Sequence, residues 1–190
     1  MIRGNSAKRP TFPLTVSLAC LLMVMAASVI SAKEFLTAKE IETIQINQDI
    51  QIRVKHYLNF AMARLKAAEE RLSGKDSNEG DPFEFYTPEE MVDGYYRIIQ
   101  SVMFNLDDAN RKPDPLIHKK IKSALKALKD TTEDAGKELE VLKKIAEEQK
   151  KEELWDSVSK AIDITNGAHE GAASSLAKEP PEPEKKSKRK

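Results

Sequence analysis

Residues 121–146 read IKSALKALKDTTEDAGKELEVLKKIA, and this stretch decides which fold the chain can adopt. Apolar and small side chains recur along it at alternating spacings of four and three residues. This spacing puts them on one stripe of an α-helix and is typical of a coiled-coil seam. Because the stripe passes Gly136 without a break, we predict a single long helix over residues 115–149. The members of the seam are Ile121, Leu125, Leu128, Thr132, Ala135, Leu139, Leu142 and Ala146.

The sequence before the seam predicts another amphipathic helix, over residues 87–110. Its start is the clearest in the chain, because Thr87 supplies a capping hydroxyl and Pro88 suits the first helical position. Glu89 and Glu90 then complement the positive end of the helix dipole. Apolar residues follow at helical spacing: Met91, Tyr95, Ile98, Val102 and Leu106.

A still earlier helix is predicted over residues 37–73, where Thr37 and Glu40 form a capping-box pattern at the start. Residues 44–54 also alternate between apolar and polar, which is the period of a strand, and residues 47–49 could then link a β-hairpin. We favour the helix for two reasons. A helix also puts apolar residues on one stripe, and an isolated two-stranded hairpin is only marginally stable. The residues of that stripe are Ile46, Ile50, Val54, Tyr57 and Ala61.

The seam slips at residues 147–153 (EEQKKEE), and a new apolar stripe begins with Trp155. The slip is either a tight connection between two helices or a shift of phase within one longer helix, since no glycine or proline marks a turn. We predict a fourth helix over residues 151–177. Residues 178–190 contain only Lys, Arg, Glu, Pro and Ser, and we expect them to form a disordered basic tail.

The fold class follows from the one-sided stripes. A helix that is apolar on one face only must bury that face against other helices. The sequence therefore predicts an all-α fold over residues 33–177, namely an antiparallel bundle of about four amphipathic helices with long coiled-coil-like helices.

Residues 1–32 have the layout of a secretory signal peptide. Residues 1–13 carry three basic side chains and no acid, residues 14–30 are almost wholly apolar, and Ser31-Ala32 supplies small residues for a cleavage site. We therefore expect cleavage after Ala32 and export to a periplasmic or extracellular location. The alternative is an uncleaved membrane anchor formed by residues 14–30, although a spanning helix needs about 20 residues.

The neutral total of 31 basic and 31 acidic residues hides an uneven distribution of charge. Residues 33–177 hold 22 basic and 28 acidic residues, whereas residues 178–190 hold six basic and three acidic ones. Because phosphate binding needs a clustered positive surface, no nucleic-acid partner is expected for the acidic body. The sequence predicts the tail as the only place for such binding, and as a candidate contact for anionic envelope surfaces.

No motif in the sequence predicts an enzyme, a metal site or a cofactor. His56, His118 and His169 fall on three different predicted helices, and none of them follows a glutamate at the Glu-x-x-His spacing of di-iron bundles. The one cysteine, Cys20, lies in the leader, so the mature chain has no thiol chemistry. The sequence has no Gly-x-Ser-x-Gly element and no glycine-rich phosphate loop, and its paired acids alternate with lysines as on a solvated helix face.

Aromatic residues concentrate around the start of the helix at residues 87–110. Tyrosine combines apolar area with a hydrogen-bonding tip, as binding surfaces often do. The alternative, which we favour, is that the loop before this helix folds back and caps the end of the bundle. The residues of the candidate binding surface are Phe83, Phe85, Tyr86, Tyr95 and Tyr96.

Together these patterns predict an exported, non-enzymatic helical-bundle protein with a binding or scaffolding role in the cell envelope. Its expected partner is another protein, or a second copy that pairs through the helix seams. The alternative is a small-ligand or metal carrier that uses the bundle interior or the aromatic cluster at residues 83–104.

Overall fold

The computed structural model describes residues 34–111 and 114–178. The chain divides into two compact units, Met1–Glu34 and Phe35–Lys190, and all the helices considered below belong to the second. The predictions for the leader and for residues 179–190 lie outside the described residues. Within them the chain forms five helices and no strand, which confirms the all-α class for this part: α1 (Ala38–Ile46), α2 (Ile50–Leu72), α3 (Pro88–Asn110), α4 (Pro115–Glu148) and α5 (Glu152–Ala177). None of these five helices is long and apolar enough to cross a membrane.

Helices α1 and α3 begin with the capping boxes that the sequence contains. At α1, the Glu40 N–H donates to Thr37 Oγ1 at 3.3 Å, and the Thr37 N–H donates to Glu40 Oε2 at 2.8 Å. At α3, Thr87 and Glu90 repeat the arrangement at 3.2 and 2.9 Å. These reciprocal bonds satisfy amides that have no partner within the helix, so each start is fixed by local sequence.

The prediction of one helix over residues 37–73 is wrong at residues 47–49, where the chain breaks between α1 and α2. Asp49 caps α2, since its carboxylate accepts hydrogen bonds from the N–H groups of Gln51 and Ile52. Ile46, which the single-helix interpretation placed on the buried stripe, is 71% exposed. The link predicted for a hairpin is therefore a real turn, but it joins two helices.

The slip at residues 147–153 is a tight connection between α4 and α5. Lys150 adopts a φ of 55° there, in the left-handed region that favours glycine. The Lys150 N–H donates to the Glu147 carbonyl at 3.2 Å, and the Lys151 N–H donates to the Ala146 carbonyl at 2.9 Å. These two bonds define a Schellman motif, so the helix ends here although the position that usually holds glycine is occupied by lysine.

Replacing Lys150 with glycine is expected to raise the free energy of unfolding by about 1 kcal/mol, because a side chain in the left-handed region is strained. The equivalent position at the end of α2 is Gly74, with a φ of 80° and open space around it. Gly74→Ala should therefore lower stability by a similar amount. Urea unfolding followed by circular dichroism measures both changes, and a less stable Lys150→Gly variant would show that this side chain makes a stabilising contact.

Contacts at both ends of α2 and α4 show that these two helices run side by side in the same direction. Near their starts, Lys120 Nζ of α4 lies 2.6 Å from Oδ2 of Asp49, the residue that caps α2. Near their ends, Gln149 Nε2 donates to the carbonyl oxygen of Leu72 at 3.5 Å. The basic face described below depends on this pairing.

Two other helix pairs, α2 with α3 and α4 with α5, run in opposite directions. The start of α2 meets the end of α3, where Arg53 Nη1 donates to Asn105 Oδ1 at 3.3 Å. Helix α4 meets α5 in a hairpin, in which Trp155 Nε1 donates to Glu147 Oε1 at 3.0 Å. Helices α3 and α5 therefore also run in one direction and contact each other, while α3 and α4 meet more sparsely. The antiparallel arrangement of about four helices stays a prediction.

The predicted seam of α4 lies in the interior of this bundle. Leu125 is half-buried, and the other seven members are buried. The seam is covered by helices of the same chain, and self-association through helix seams stays a prediction. The buried residues that form one core with it include Leu58 and Leu65 of α2, Ile98 and Val102 of α3, and Val158 and Ala161 of α5.

Candidate functional site

A buried arginine fastens the segment around α1 to the bundle. Arg64 of α2 is 1% exposed, and its Nη1 and Nη2 donate to the two carboxylate oxygens of Glu40 at 2.8 and 2.7 Å. The same two nitrogens also donate to the carbonyl oxygens of Phe60, at 2.9 Å, and Phe35, at 2.6 Å. A bidentate pair with further carbonyl acceptors satisfies most of the guanidinium, which a buried charge requires.

The same arginine also contacts the loop before α3 and the middle of α3. Its guanidinium carbon lies 5.0 Å from the ring centroid of Phe83, within range of a cation–π contact. On α3, a Cβ placed on Gly94 would lie 3.0 Å from Cδ and Nε of Arg64. Gly94 is therefore where α3 makes room for the arginine, and Arg64 joins three separate segments of the chain.

Arg71, two turns further along α2, holds the aromatic loop. Its Nη1 donates to the Tyr86 carbonyl at 3.1 Å, and its Nη2 donates to the Phe83 carbonyl at 3.3 Å and to the Ser77 hydroxyl. The rings of Phe83 and Tyr86 then meet edge to face, with centroids 6.0 Å apart. The loop is thus packed against α2.

The five aromatic residues of the predicted binding surface occupy different environments. Phe83 and Tyr95 are buried, Tyr86 and Tyr96 are half-buried, and Phe85 is 79% exposed. Two of the five therefore belong to the core, and the structure does not bring all five together on one accessible surface. For Phe85, Tyr86 and Tyr96 a binding role stays a prediction.

Tyr95 is part of a polar contact inside the bundle. Thr165 Oγ1 donates to the carbonyl of Ala161 at 2.6 Å, so the Tyr95 hydroxyl donates to Thr165 Oγ1 across 2.7 Å. Burial strongly raises the pKa of Tyr95, which keeps the phenol neutral. This neutral, paired hydroxyl has the character of a structural hydrogen bond between α3 and α5.

The three histidines stay apart in the fold. His56 stacks on Phe60 with ring centroids 6.1 Å apart, and His118 is exposed on α4. His169 of α5 has its Nδ1 3.2 Å from the Lys129 carbonyl and 3.3 Å from the Thr132 hydroxyl. Across residues 34–111 and 114–178, no group of three His, Cys, Asp or Glu side chains could hold a metal ion. The expectation of no metal stays a prediction.

Glu138 is a half-buried carboxyl between α4 and α2. Burial raises its pKa, the carboxylates of Glu69 and Asp134 raise it further, and Lys66 opposes them. In the part of the chain that the structure describes, its Oε2 has no hydrogen-bond partner. Glu138 therefore makes folding sensitive to pH.

We expect Glu138→Gln to gain stability relative to the wild type as pH rises from acidic to neutral. The folded state keeps this proton to a higher pH than the unfolded state, whose pKa is near 4.5, so deprotonation above that value favours unfolding. Urea unfolding at a series of pH values measures the difference. Glu140→Gln, on the exposed face of α4, is the control, and a difference for Glu138→Gln that does not change with pH would contradict the expectation.

A surface cleft of about 340 Å³ lies between α2 and α3, and the segment before α1 closes one side of it. Phe104, on α3, is 74% exposed beside it. Arg97 is held by Asp93, with its Nε 2.8 Å from Oδ2. Burial raises the pKa of Tyr57, so this phenol stays neutral. The cleft therefore offers aromatic area together with hydrogen-bonding groups, and its lining residues are Phe35, Tyr57, Arg97, Gln100, Ser101, Phe104 and Asn105.

A second cleft, of about 490 Å³, lies at the turn between α4 and α5. Trp155 forms one wall, with its indole N–H bonded to Glu147 and Lys143 Nζ 5.2 Å from its ring centroid. The sequence had placed Trp155 on the buried stripe of α5, but Leu154 takes that position and Trp155 is exposed. The other lining side chains are mainly charged, and this cleft is more polar than the first.

Charge is segregated along α4. Residues 115–129 contain five lysines and no acid, whereas residues 130–148 contain seven acids and three lysines. The parallel neighbour α2 is likewise free of acids over residues 50–68. The acid-free starts of both helices therefore lie at the same end of the bundle. The sequence analysis had predicted the tail as the only clustered positive region, and residues 115–129 are a second one.

The basic half of α4 is costly for the helix itself. Lysines three and four residues apart repel one another by about 0.2–0.5 kcal/mol per pair, and positive charge near a helix start opposes the dipole. Local rules broken without local compensation are expected at functional surfaces. The acid-free run from Pro115 to Lys129 was the signal in the sequence that could have found this surface.

No protein-family model, no curated protein and no solved structure matches this chain. The described residues define an all-α bundle with two surface clefts and an acid-free, lysine-rich run over residues 115–129 of α4.

Proposed function

We propose that this chain is an exported, non-enzymatic helical-bundle protein that binds or scaffolds a partner protein in the cell envelope. The observation that carries the proposal is the cleft between α2 and α3, where Phe104 is exposed beside Tyr57 and Arg97. Aromatic residues and arginine are enriched at the centres of protein interfaces, and the amides of Gln100 and Asn105 add polar contacts at the rim.

The packing of the interior supports binding at the surface rather than carriage of a ligand inside. Buried side chains from all four long helices form one core, and Tyr95 fills part of it with its hydroxyl satisfied. A carrier would need open volume along this axis, as ligand sites generally do. Three groups have a raised pKa: Tyr95 and Glu138 line neither cleft, and Tyr57, which lines the first cleft, is a phenol that burial keeps neutral. This arrangement gives no support to acid–base catalysis.

We also infer that α4 and α5 pack as a coiled-coil-like hairpin that stiffens the bundle. The support is the buried four-three seam of α4 and the contacts of Thr132 with His169 and of Glu147 with Trp155 along its length. A stiff hairpin presents fixed surfaces, which suits a scaffold. The export step rests on the leader at residues 1–32.

Photo-crosslinking in the source organism tests the proposal. A photoreactive phenylalanine analogue at position 104 should give one discrete adduct with another protein, and Arg97→Ala should weaken it. The same analogue at Val141, which is exposed on α4, is the control and should give none. Equal amounts of adduct at positions 104 and 141 would contradict the proposal. So would turnover of a substrate that is lost when a cleft residue is replaced, or recovery of the chain from the cytoplasm with its leader intact.

A further inference from the structure

We propose that the exposed lysine stripe of α4, formed by Lys119, Lys122 and Lys126, docks the bundle on an anionic phospholipid bilayer. This inference rests on the proposed function in one respect, because export is what brings the chain to the envelope. It adds a partner of stated chemistry, the phosphate headgroups of a membrane, on a surface distinct from the cleft.

The three lysines form one outward row. Their spacing of three and four residues puts them on a single helix face, opposite the buried residues Ile121 and Ala124. Each of the three side chains is exposed. Within residues 34–111 and 114–178, none of these three lysines forms an ion pair, whereas Lys120 forms one with Asp49. Three unneutralised ammonium groups are thus displayed together.

Apolar side chains flank this row at the same end of the bundle. Leu116, one turn before Lys120, is 73% exposed, and Ile52, one turn after Asp49, is also exposed. The ion pair between Lys120 and Asp49 places these two turns side by side. Lysines beside exposed leucine and isoleucine are the combination by which peripheral proteins bind a membrane surface, since the apolar groups enter the headgroup region.

A bilayer fits this surface better than a nucleic acid does. Surfaces that bind nucleic acids combine lysine and arginine with side chains that read base edges or with aromatic rings that stack on bases. The stripe instead offers lysine point charges, with aliphatic Leu116 and Ile52 beside them. Aliphatic groups gain from a membrane interface and gain little from a phosphodiester backbone.

Vesicle partitioning of the full chain tests the inference. The quantity measured is the partition coefficient on phosphatidylcholine vesicles with about 30% phosphatidylglycerol, divided by that on phosphatidylcholine alone, at about 0.15 M salt. This ratio removes the part of binding that does not depend on the charge of the headgroups. The stripe variant is Lys119→Gln, Lys122→Gln, Lys126→Gln. The control variant is Lys137→Gln, Lys144→Gln, Lys150→Gln, which removes three exposed lysines from the other half of α4 and the turn after it.

We expect the ratio to fall about 100-fold in the stripe variant, since each lysine near an anionic surface contributes roughly a fivefold gain. The control variant should change it by less than about tenfold in total, because its lysines lie among acids. Equal losses in both variants, or a wild type without preference for anionic vesicles, would overturn the inference. So would binding of mixed-sequence DNA that depends on the stripe while vesicle binding does not. The photo-crosslink at Phe104 stays in the stripe variant, so failure of either proposal is seen separately.

Discussion

Replacing Arg64 with alanine is expected to lower the free energy of unfolding by about 3–5 kcal/mol, the usual cost of removing one partner from a buried ion pair. The change leaves the Glu40 carboxylate buried without its bidentate partner, and it leaves the carbonyls of Phe35 and Phe60 without a donor. It also removes the cation over the ring of Phe83. Urea unfolding followed by circular dichroism measures the loss.

The matched control is Arg97→Ala on α3. Arg97 pairs with Asp93 on the surface, where such an ion pair contributes about 0.5 kcal/mol or less. A loss below about 1 kcal/mol for Arg64→Ala would contradict the burial and bonding described for this side chain. Limited proteolysis gives a second readout, because the segment from Phe35 to Asp49 should become accessible in the Arg64 variant before the rest of the bundle does.

A double-mutant cycle separates the pair from its surroundings. Arg64→Met with Glu40→Leu removes both charges together, so it should cost less than the sum of the two single replacements by about 1–3 kcal/mol. Additive losses would mean that Glu40 and Arg64 act independently. The cycle uses the same unfolding measurement as the single variants.

Leu139→Ala and Leu142→Ala should each lower the free energy of unfolding by about 2–5 kcal/mol. Both side chains are completely buried in the seam of α4, and truncation leaves a cavity that the surrounding helices fill only in part. Val141 lies between them on the outward face, so Val141→Ala is the control and should stay within about 0.5 kcal/mol of the wild type. Similar effects at all three positions would mean that the seam does not face the interior.

The parts of the fold that local sequence determines were predictable. The starts of α1 and α3 follow from the Thr-x-x-Glu patterns at Thr37 and Thr87, because a capping box needs only residues within one turn. The buried face of α4 follows from its period alone. Both signals are local and need no knowledge of the neighbouring helices.

The break between α1 and α2 and the break between α4 and α5 were harder to predict, because neither of these two connections contains proline or glycine. Asp49 caps α2 after a run of apolar residues that fits a continuous helix equally well. Lys150 takes a backbone conformation that sequence statistics reserve for glycine. At the first break Arg53 holds the turn by donating to the carbonyls of Asn47 and Gln48, and at the second Gln149 reaches Leu72 of a neighbouring helix.

The candidate surfaces depend on contacts that the sequence does not display. Arg64 draws its partners from residues 35, 40, 60 and 83, and only the mid-helix glycine at position 94 hints at a close approach. The sequence showed that aromatic residues concentrate near the start of α3. Which of their rings are buried depends on contacts with Arg64, Arg71 and Thr165. The cleft beside Phe104 requires α2 and α3 to be placed together first.

Chemical cross-linking of an isotope mixture tests most directly whether helices of the same chain cover the apolar seam of α4, with α2 and α4 side by side. Equal amounts of nitrogen-14 and nitrogen-15 protein are mixed and treated with a zero-length carbodiimide, which joins an amine to a carboxylate in contact. The account predicts a link between Lys120 and Asp49, 2.6 Å apart, found only in light–light and heavy–heavy pairs. Light–heavy pairs joined through α4, or the absence of this link from the folded monomer, would contradict it.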